Sequence, residues 1–229
     1  MSRDDCDLER GFGNMKTKDV PQVIFVSGID TDAGKTYATG LLARRWMEEG
    51  KRVATVKFIQ TGCKDFSEDI EVHRKIMGVE LPEDKNLVTA PIIFNYPASA
   101  QLAARLDNRE IDLSHVDESI RMLKENYDVI LIEGAGGLMV PVTDDFFSID
   151  YPLTRQLPLI LVTNGILGSI NHTILSLEAI RNRDMKLYAL CYNRYFDKDE
   201  IIAEDTRGFL KRYMARHFPE TLWIDIPAL

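Results

Sequence analysis

Val23–Gly40 reads VIFVSGIDTDAGKTYATG: an apolar run rich in β-branched residues, a glycine, five further residues, then Gly34-Lys35-Thr36. The general phosphate-loop pattern G-x-x-x-x-G-K-[ST] has four residues between its glycines. Here Gly28 and Gly34 enclose five, Ile29, Asp30, Thr31, Asp32 and Ala33. The stretch is therefore either a nucleotide site with one residue too many or a tight strand-to-helix turn capped by a threonine. The surroundings favour the first. QVIFVS (22–27) reads as a buried strand. Lys35 to Glu49 carries Ala38, Leu42 and Trp46 at spacing four, with Gly50 as a helix stop. Glycines there let backbone N–H groups turn toward phosphates, and the helix N-terminus adds positive potential. Lys35 can reach outer phosphates, and the Thr36 hydroxyl can coordinate Mg²⁺.

Outward from this loop the alternation continues. RVATVK (52–57), DVILIE (128–133) and PLILVT (158–163) read as strands. A helix near 116–126 has Ser114 as candidate N-cap and Asp117 three residues on. SINHTILSLEAIRNR (169–183) reads as a helix; KLYALCYN (186–193), a helix near 199–217 and LWIDIP (222–227) close the chain. Five apolar strands separated by helices imply an α/β fold: one domain over 21–229, with a doubly wound, mostly parallel sheet flanked by helices in the manner of P-loop NTPases. Residues 1–20 are charged and have no apolar core for a secretory signal, so they read as a disordered leader.

Composition narrows the function. The chain has 229 residues, 45% of them hydrophobic, and a formal net charge of −8. That size supports one sizeable core. The acidic balance and the lack of a basic tract argue against a general nucleic-acid or membrane-surface role. No apolar run approaches the roughly 20 residues of a membrane span. Three widely spaced cysteines, Cys6, Cys63 and Cys191, suit a reducing compartment and not a disulfide framework or a cysteine zinc site. The expected location is the cytoplasm.

In a parallel sheet, ligands gather at the carboxyl ends of the strands. Three further stretches lie there. Lys57 ends a strand in VKFIQTG, where it could neutralise charge during group transfer or simply be solvated. Glu133 ends another in ILIEGAGGLMVP. It could help hold a metal, with Gly134–Gly137 admitting a ligand close to the backbone, or be an exposed glutamate on a glycine-rich turn. Asn193 ends a third in CYNRY, where its amide could pair with a base edge. Asp69, in SEDIEVHR, is a candidate carboxylate for magnesium, with Glu68 and Glu71 as neighbours. His73 reads as surface or packing, because no partner histidine stands at ligand spacing. GILGSINH, with Asn171 and His172, reads as a loop and helix start.

Together these residues resemble the dethiobiotin synthetases. The resemblance rests on GIDTDAGKT, VKFIQTG, Asp69, FNYPASAQLAA, IEGAGGLMVP, GILGSINH, Tyr192-Asn193 and IPAL, in family order across 22–229. The family's own loop is G-x-D-T-x-x-G-K-T, with five residues between the glycines. The resemblance implies an ATP- and Mg²⁺-dependent ligase of biotin synthesis that makes dethiobiotin from diaminopelargonate, CO₂ or bicarbonate, and ATP. One amine becomes a carbamate, ATP phosphorylates it, and the second amine closes the ring. By position, Lys35 and Lys57 would clamp the carbamate and γ-phosphate. Thr36, Asp69 and Glu133 would hold Mg²⁺. Thr31, Thr61 and Gly137 would lie beside the substrate. Asp32, Ala33, Gly34, Lys35, Thr36 and Tyr37, with Gly134, Ala135 and Gly136, would line the nucleotide. Asn193, Pro227, Ala228 and Leu229 would hold adenine, and Asn171 would bind the substrate's tail across a homodimer interface.

Three departures from the family pattern stand out. Phe58 replaces a frequent proline and implies a less rigid loop. Ser99-Ala100-Gln101 replaces Ser-Pro-His. The chain ends at IPAL where relatives continue over the nucleotide, which implies a looser hold on the base. The competing classes are a switch or partitioning ATPase, an amidotransferase-like synthase, and a paralogue that binds nucleotide without carboxylation. A partitioning ATPase would carry an early lysine, as in K-G-G-x-G-K-T, where this chain has Ile29-Asp30-Thr31. An amidotransferase-like synthase would need a glutaminase domain for which 229 residues leave no room.

Overall fold

The computed structural model describes residues 20–228. The expected leader, all but Val20, and the adenine contact assigned to Leu229 lie outside these residues. The main sheet has six strands, one more than the sequence suggested: β1 (Val23–Gly28), β2 (Val53–Lys57), β5 (Val129–Gly137), β6 (Leu159–Asn164), β7 (Leu187–Asn193) and β8 (Leu222–Ile226). Their order is β2-β5-β1-β6-β7-β8, and every neighbouring pair is parallel. All six residues of β1 are buried, as a strand covered on both faces requires. Its side chains alternate: Ile24 and Val26 join one core, Val23 and Phe25 the other.

The first core lies under α1 (Lys35–Glu48) and α2 (Glu68–Met77). Ala38, Leu42 and Trp46 of α1 are fully buried there, as their spacing of four predicted. Gly50, at φ 85°, follows the helix end, a conformation that costs glycine little. The second core lies under α3 (Ala100–Leu106), α4 (Ser114–Leu123), α6 (Ser169–Arg181) and α7 (Glu200–His217). A short helix, α5 (Asp150–Thr154), adds Tyr151 to it. Strands β3 (Gln60–Thr61) and β4 (Ile93–Phe94) form a separate two-stranded parallel sheet. Each has only two residues, too few for a readable alternation.

Two local expectations need correction. Ser114 is not an N-cap. It is the first residue of α4, its N–H donates to Asp112 Oδ1 at 2.9 Å, and Asp117 turns away to accept from the Tyr151 hydroxyl at 2.9 Å. Nor does β5 end at Glu133. It runs on through the glycines, because Gly137 still pairs with Gly28 across a bulge. Gly134 suits this strand, since a Cβ there would press on the Phe25 ring at 3.0 Å.

This order places β1 where the chain's direction of travel across the sheet reverses: β2 and β5 lie on one side, β6 to β8 on the other. Ligand crevices of open parallel sheets form at such a point, and the loop Gly28–Lys35 leaves β1 there.

Candidate active site

The phosphate loop enters α1 through Gly34, which takes φ 85° and leaves the first turn without a side-chain cap. The reading of the loop as a turn capped by threonine therefore fails. The Thr36 hydroxyl makes a different pair of contacts, 2.9 Å to Asp69 Oδ1 and 2.9 Å to Glu133 Oε1. Gly34 also has no room for a side chain, since a Cβ would come within 2.1 Å of Asn193 Nδ2. Lys35 is buried and folds across its own loop, donating to the carbonyls of Asp30 at 3.0 Å and Thr31 at 2.9 Å. Burial lowers its ammonium to about 8, against the pull of Glu133 and Asp69 and with a push from Lys57.

Glu133 is 1% exposed, so the exposed-glutamate reading also fails. An isolated carboxylate would not ionise at such a site. Burial pushes Glu133 up, but the Lys57 ammonium and a bond from His73 outweigh it and hold the group well below the usual carboxylate range. Lys57 Nζ is 2.9 Å from Glu133 Oε1, pairs closely with Asp69 and reaches the Gly134 carbonyl at 3.3 Å. It is not a solvated strand end. Burial draws it down, and the two carboxylates more than compensate, so its pKa is raised. Of the acidic cluster on α2, Glu68 and Glu71 are exposed and Asp69 is turned inward. The Ser67 hydroxyl accepts from Ile70 N at 3.2 Å and starts that helix.

The sequence-predicted residues thus divide into three groups. Thr36, Lys57, Asp69 and Glu133 meet in one cluster, Lys57 and Glu133 buried and Thr36 and Asp69 half-buried, with Lys35 beside it. Thr31 is exposed on the loop rim, Thr61 is half-buried in β3, and a Cβ on Gly136 would lie 3.8 Å from Thr31 Oγ1. A separate cavity of about 150 Å³ is lined by Gly34, Tyr37, Asn193, Tyr195, Phe196 and Pro227. Asn193 is already engaged there, donating to Ala33 O at 3.4 Å and accepting from Tyr195 N at 3.1 Å. Asp32 and Ala228 are exposed, and Ala33 is buried. Asn171 is exposed on the first turn of α6, and no hydrogen bond among the described residues joins it to the cluster.

Phe58 is buried between Phe25 and Tyr151, with ring centroids 5.4 and 4.7 Å away, and its N–H donates to the Glu133 carbonyl at 2.8 Å. Gln101 donates to Asp144 Oδ1 at 2.5 Å. His73 is the residue that the sequence undervalued. It is 0% exposed, with Nε2 2.7 Å from Glu133 Oε2 and Nδ1 3.0 Å from Thr55 Oγ1. The available signal was its spacing of four from Asp69, which puts both on one face of α2. A polar Thr55 inside the buried strand VATVK was the other.

A metal fits this chemistry. One hydroxyl and two carboxylates converge as oxygen donors only, the set that a hard divalent cation prefers. The cluster has only two carboxylates, which agrees with the absence, among the described residues, of any group of three or more His, Cys, Asp and Glu able to hold a metal alone. No helix of the described residues is long and apolar enough to cross a membrane.

A glycine-started helix, a buried lysine and a hydroxyl facing two carboxylates, one from a helix and one from a strand, define a P-loop nucleotide-binding domain, and a family model described as AAA domain matches residues 22–219. Solved structures agree on the fold. FtsY from Elizabethkingia anophelis in complex with GDP superposes with a TM-score of 0.54 at 15% identity, covering 96% of this chain and 61% of its own. pNOB8 ParA bound to nonspecific DNA gives a TM-score of 0.54 at 15% identity, covering 89% and 78%. The chain thus spans about three fifths of that FtsY. At these identities the likeness reaches the fold alone.

Sequence relatives go further. The ATP-dependent dethiobiotin synthetase BioD 2 of Pasteurella multocida is 46% identical, covering 88% of this chain and 95% of the relative. That of Haemophilus ducreyi is 48% identical, covering 87% and 95%. The ATP-dependent dethiobiotin synthetase BioD of Chlorobaculum tepidum is 47% identical, covering 90% and 87%. The chain belongs to the ATP-dependent dethiobiotin synthetase family. The partitioning ATPases share its fold and not its sequence.

Proposed function

We propose that the protein is the ligase its family name describes, converting diaminopelargonate, CO₂ and ATP to dethiobiotin, ADP and phosphate. One observation carries the reading: in a chain of this family, Thr36, Lys57, Asp69 and Glu133 converge within hydrogen-bond reach beside the phosphate loop. The substrate supplies both nucleophiles. One amine adds to CO₂ and loses a proton to give a carbamate. A carbamate oxygen takes the γ-phosphoryl group. The second amine attacks the carbonyl carbon, phosphate leaves, and a C–N bond closes the ring. The protein's part is positioning and charge stabilisation. Lys35 and Lys57 present two buried cations toward the anionic groups. Thr31, Thr61 and Gly137 border the substrate side. No thiol is needed, and burial pushes the nearby Cys63 thiol up, away from thiolate.

Thr36, Asp69 and Glu133 would hold Mg²⁺. When bound, the ion neutralises phosphate charge during transfer. The cavity beside Gly34 suits the nucleoside, with Asn193, Tyr37 and Pro227 at its walls. Pairing into a homodimer draws support from Ile166, Leu167 and Leu175, which are exposed apolar side chains on the loop and helix that carry Asn171. A cytoplasmic location agrees with the reduced-cysteine reading of the sequence.

The deciding experiment supplies diaminopelargonate, bicarbonate, ATP and Mg²⁺, then follows ADP release and dethiobiotin by mass spectrometry. ADP production should require the diamine. ATP hydrolysis indifferent to the diamine would sink the synthetase reading and favour nucleotide binding without carboxylation.

A further inference from the structure

The Glu133 carboxylate has two oxygens with separate partners. Oε1 receives Thr36 and Lys57, each at 2.9 Å. Oε2 is 2.7 Å from His73 Nε2. Behind His73 runs a buried polar chain. His73 Nδ1 is 3.0 Å from Thr55 Oγ1, and the same oxygen receives Arg74 Nη1 at 2.8 Å. Arg74 is fixed in turn by Asp84, through Nε to Oδ2 at 2.8 Å and Nη2 to Oδ1 at 2.9 Å. Thr89 donates to Asp84 Oδ1 at 2.6 Å.

This chain has a direction. A guanidinium only donates, so the Thr55 oxygen accepts from Arg74. An ionised carboxylate oxygen only accepts, so His73 Nε2 carries a proton that points at Glu133 Oε2. Partners that orient a ligating group from behind tune metal sites in general.

We propose that His73 is a positioning residue for the metal site, its Nε2–H fixing the Glu133 carboxylate so that Oε1 faces the Thr36 hydroxyl. The inference rests on the magnesium reading above. Among the described residues no side-chain hydrogen bond joins His73 to Thr36 or Asp69, so its route to the site is through Glu133.

The test exploits two amide mimics. In His73→Gln the side-chain amide reaches about where Nε2 stands, and in His73→Asn about where Nδ1 stands. Mn²⁺ binding is followed by EPR of the free ion, with and without a non-hydrolysable ATP analogue. His73→Asn and His73→Leu should weaken nucleotide-dependent Mn²⁺ binding by roughly 10- to 100-fold. His73→Gln should recover most of that loss, and Thr55→Val should fall between. Analogue binding without metal should not change in any of them. Equal Mn²⁺ affinity in the Gln and Asn variants overturns the proposal, and that pair decides even if the Leu variant fails to fold. A native chain that binds Mn²⁺ well, with variants at residue 73 that bind it equally well, overturns this inference alone. A native chain that shows no nucleotide-dependent Mn²⁺ binding overturns the magnesium reading and this inference with it.

Discussion

The phosphate loop has two unlike neighbours. On one side stands the cluster of buried Lys57 and Glu133 with half-buried Asp69 and Thr36, in which each charged group already has an opposite charge or a hydrogen bond. On the other is the small cavity beside Gly34, where Tyr37 is 52% and Tyr195 60% exposed. Charges can be buried only when paired, so the phosphate side must be wired during folding. A nucleobase offers a flat, neutral face, which aromatic and amide groups at a surface can receive without prior wiring. Stability and catalysis should therefore be tied together on the first side and separable on the second.

That contrast can be broken most forcefully at Glu133. Glu133→Gln keeps the shape and removes the charge, leaving the buried Lys57 with Asp69 as its one carboxylate partner. Because that pair with Asp69 remains, a stability loss of about 1–3 kcal/mol is expected from urea denaturation, alongside loss of dethiobiotin formation. An unchanged midpoint would mean that the cluster is not coupled to folding. Next comes Lys57→Ala, expected to cut turnover at least tenfold, roughly 1.4 kcal/mol or more of transition-state stabilisation. If turnover survives intact, the lysine's assigned role is wrong. Smaller again is Gly34→Ala, at the border of the two regions. A methyl there must adopt φ 85° and displace Asn193 Nδ2 from 2.1 Å. The strained backbone costs about 1–2 kcal/mol of folding stability, which calorimetry should show as a melting temperature lowered by a few degrees, with weaker nucleotide binding beside it because Asn193 must move.

The same contrast explains how much the sequence revealed. Most of the sheet was legible because β1, β5 and β6 begin as continuous apolar runs and α1 keeps its spacing of four. Thr36 was legible from its motif position, Lys57 from its strand end and Glu133 from standing where the apolar run of β5 gives way to glycines. His73 was not, since a lone histidine on an amphipathic helix looks the same whether it meets water or a carboxylate. Its role comes from Thr55 and Glu133, 18 and 60 residues away in sequence, a distance that no local pattern spans. The packing of Phe58 was hidden for a related reason, since its partners Phe25 and Tyr151 lie far away in sequence. Asn193 was found, but its amide already braces the phosphate loop at Ala33, a second task that strand-end position alone does not disclose.

The smallest effect is expected at Tyr195. Its ring packs edge-on against Phe196, with centroids 5.2 Å apart, and the two aromatics wall the cavity next to Asn193. Because Tyr195 is largely exposed, Tyr195→Ala should leave the melting temperature unchanged. An aromatic contact is worth about 0.5–1.5 kcal/mol, so the KM for ATP should rise by about two- to tenfold while kcat holds. Phe at this position should restore the native value, since the ring and not the hydroxyl makes the contact. A fall in kcat in Tyr195→Ala, with KM unmoved, would place this residue's influence on the phosphate side and erase the division between the two regions.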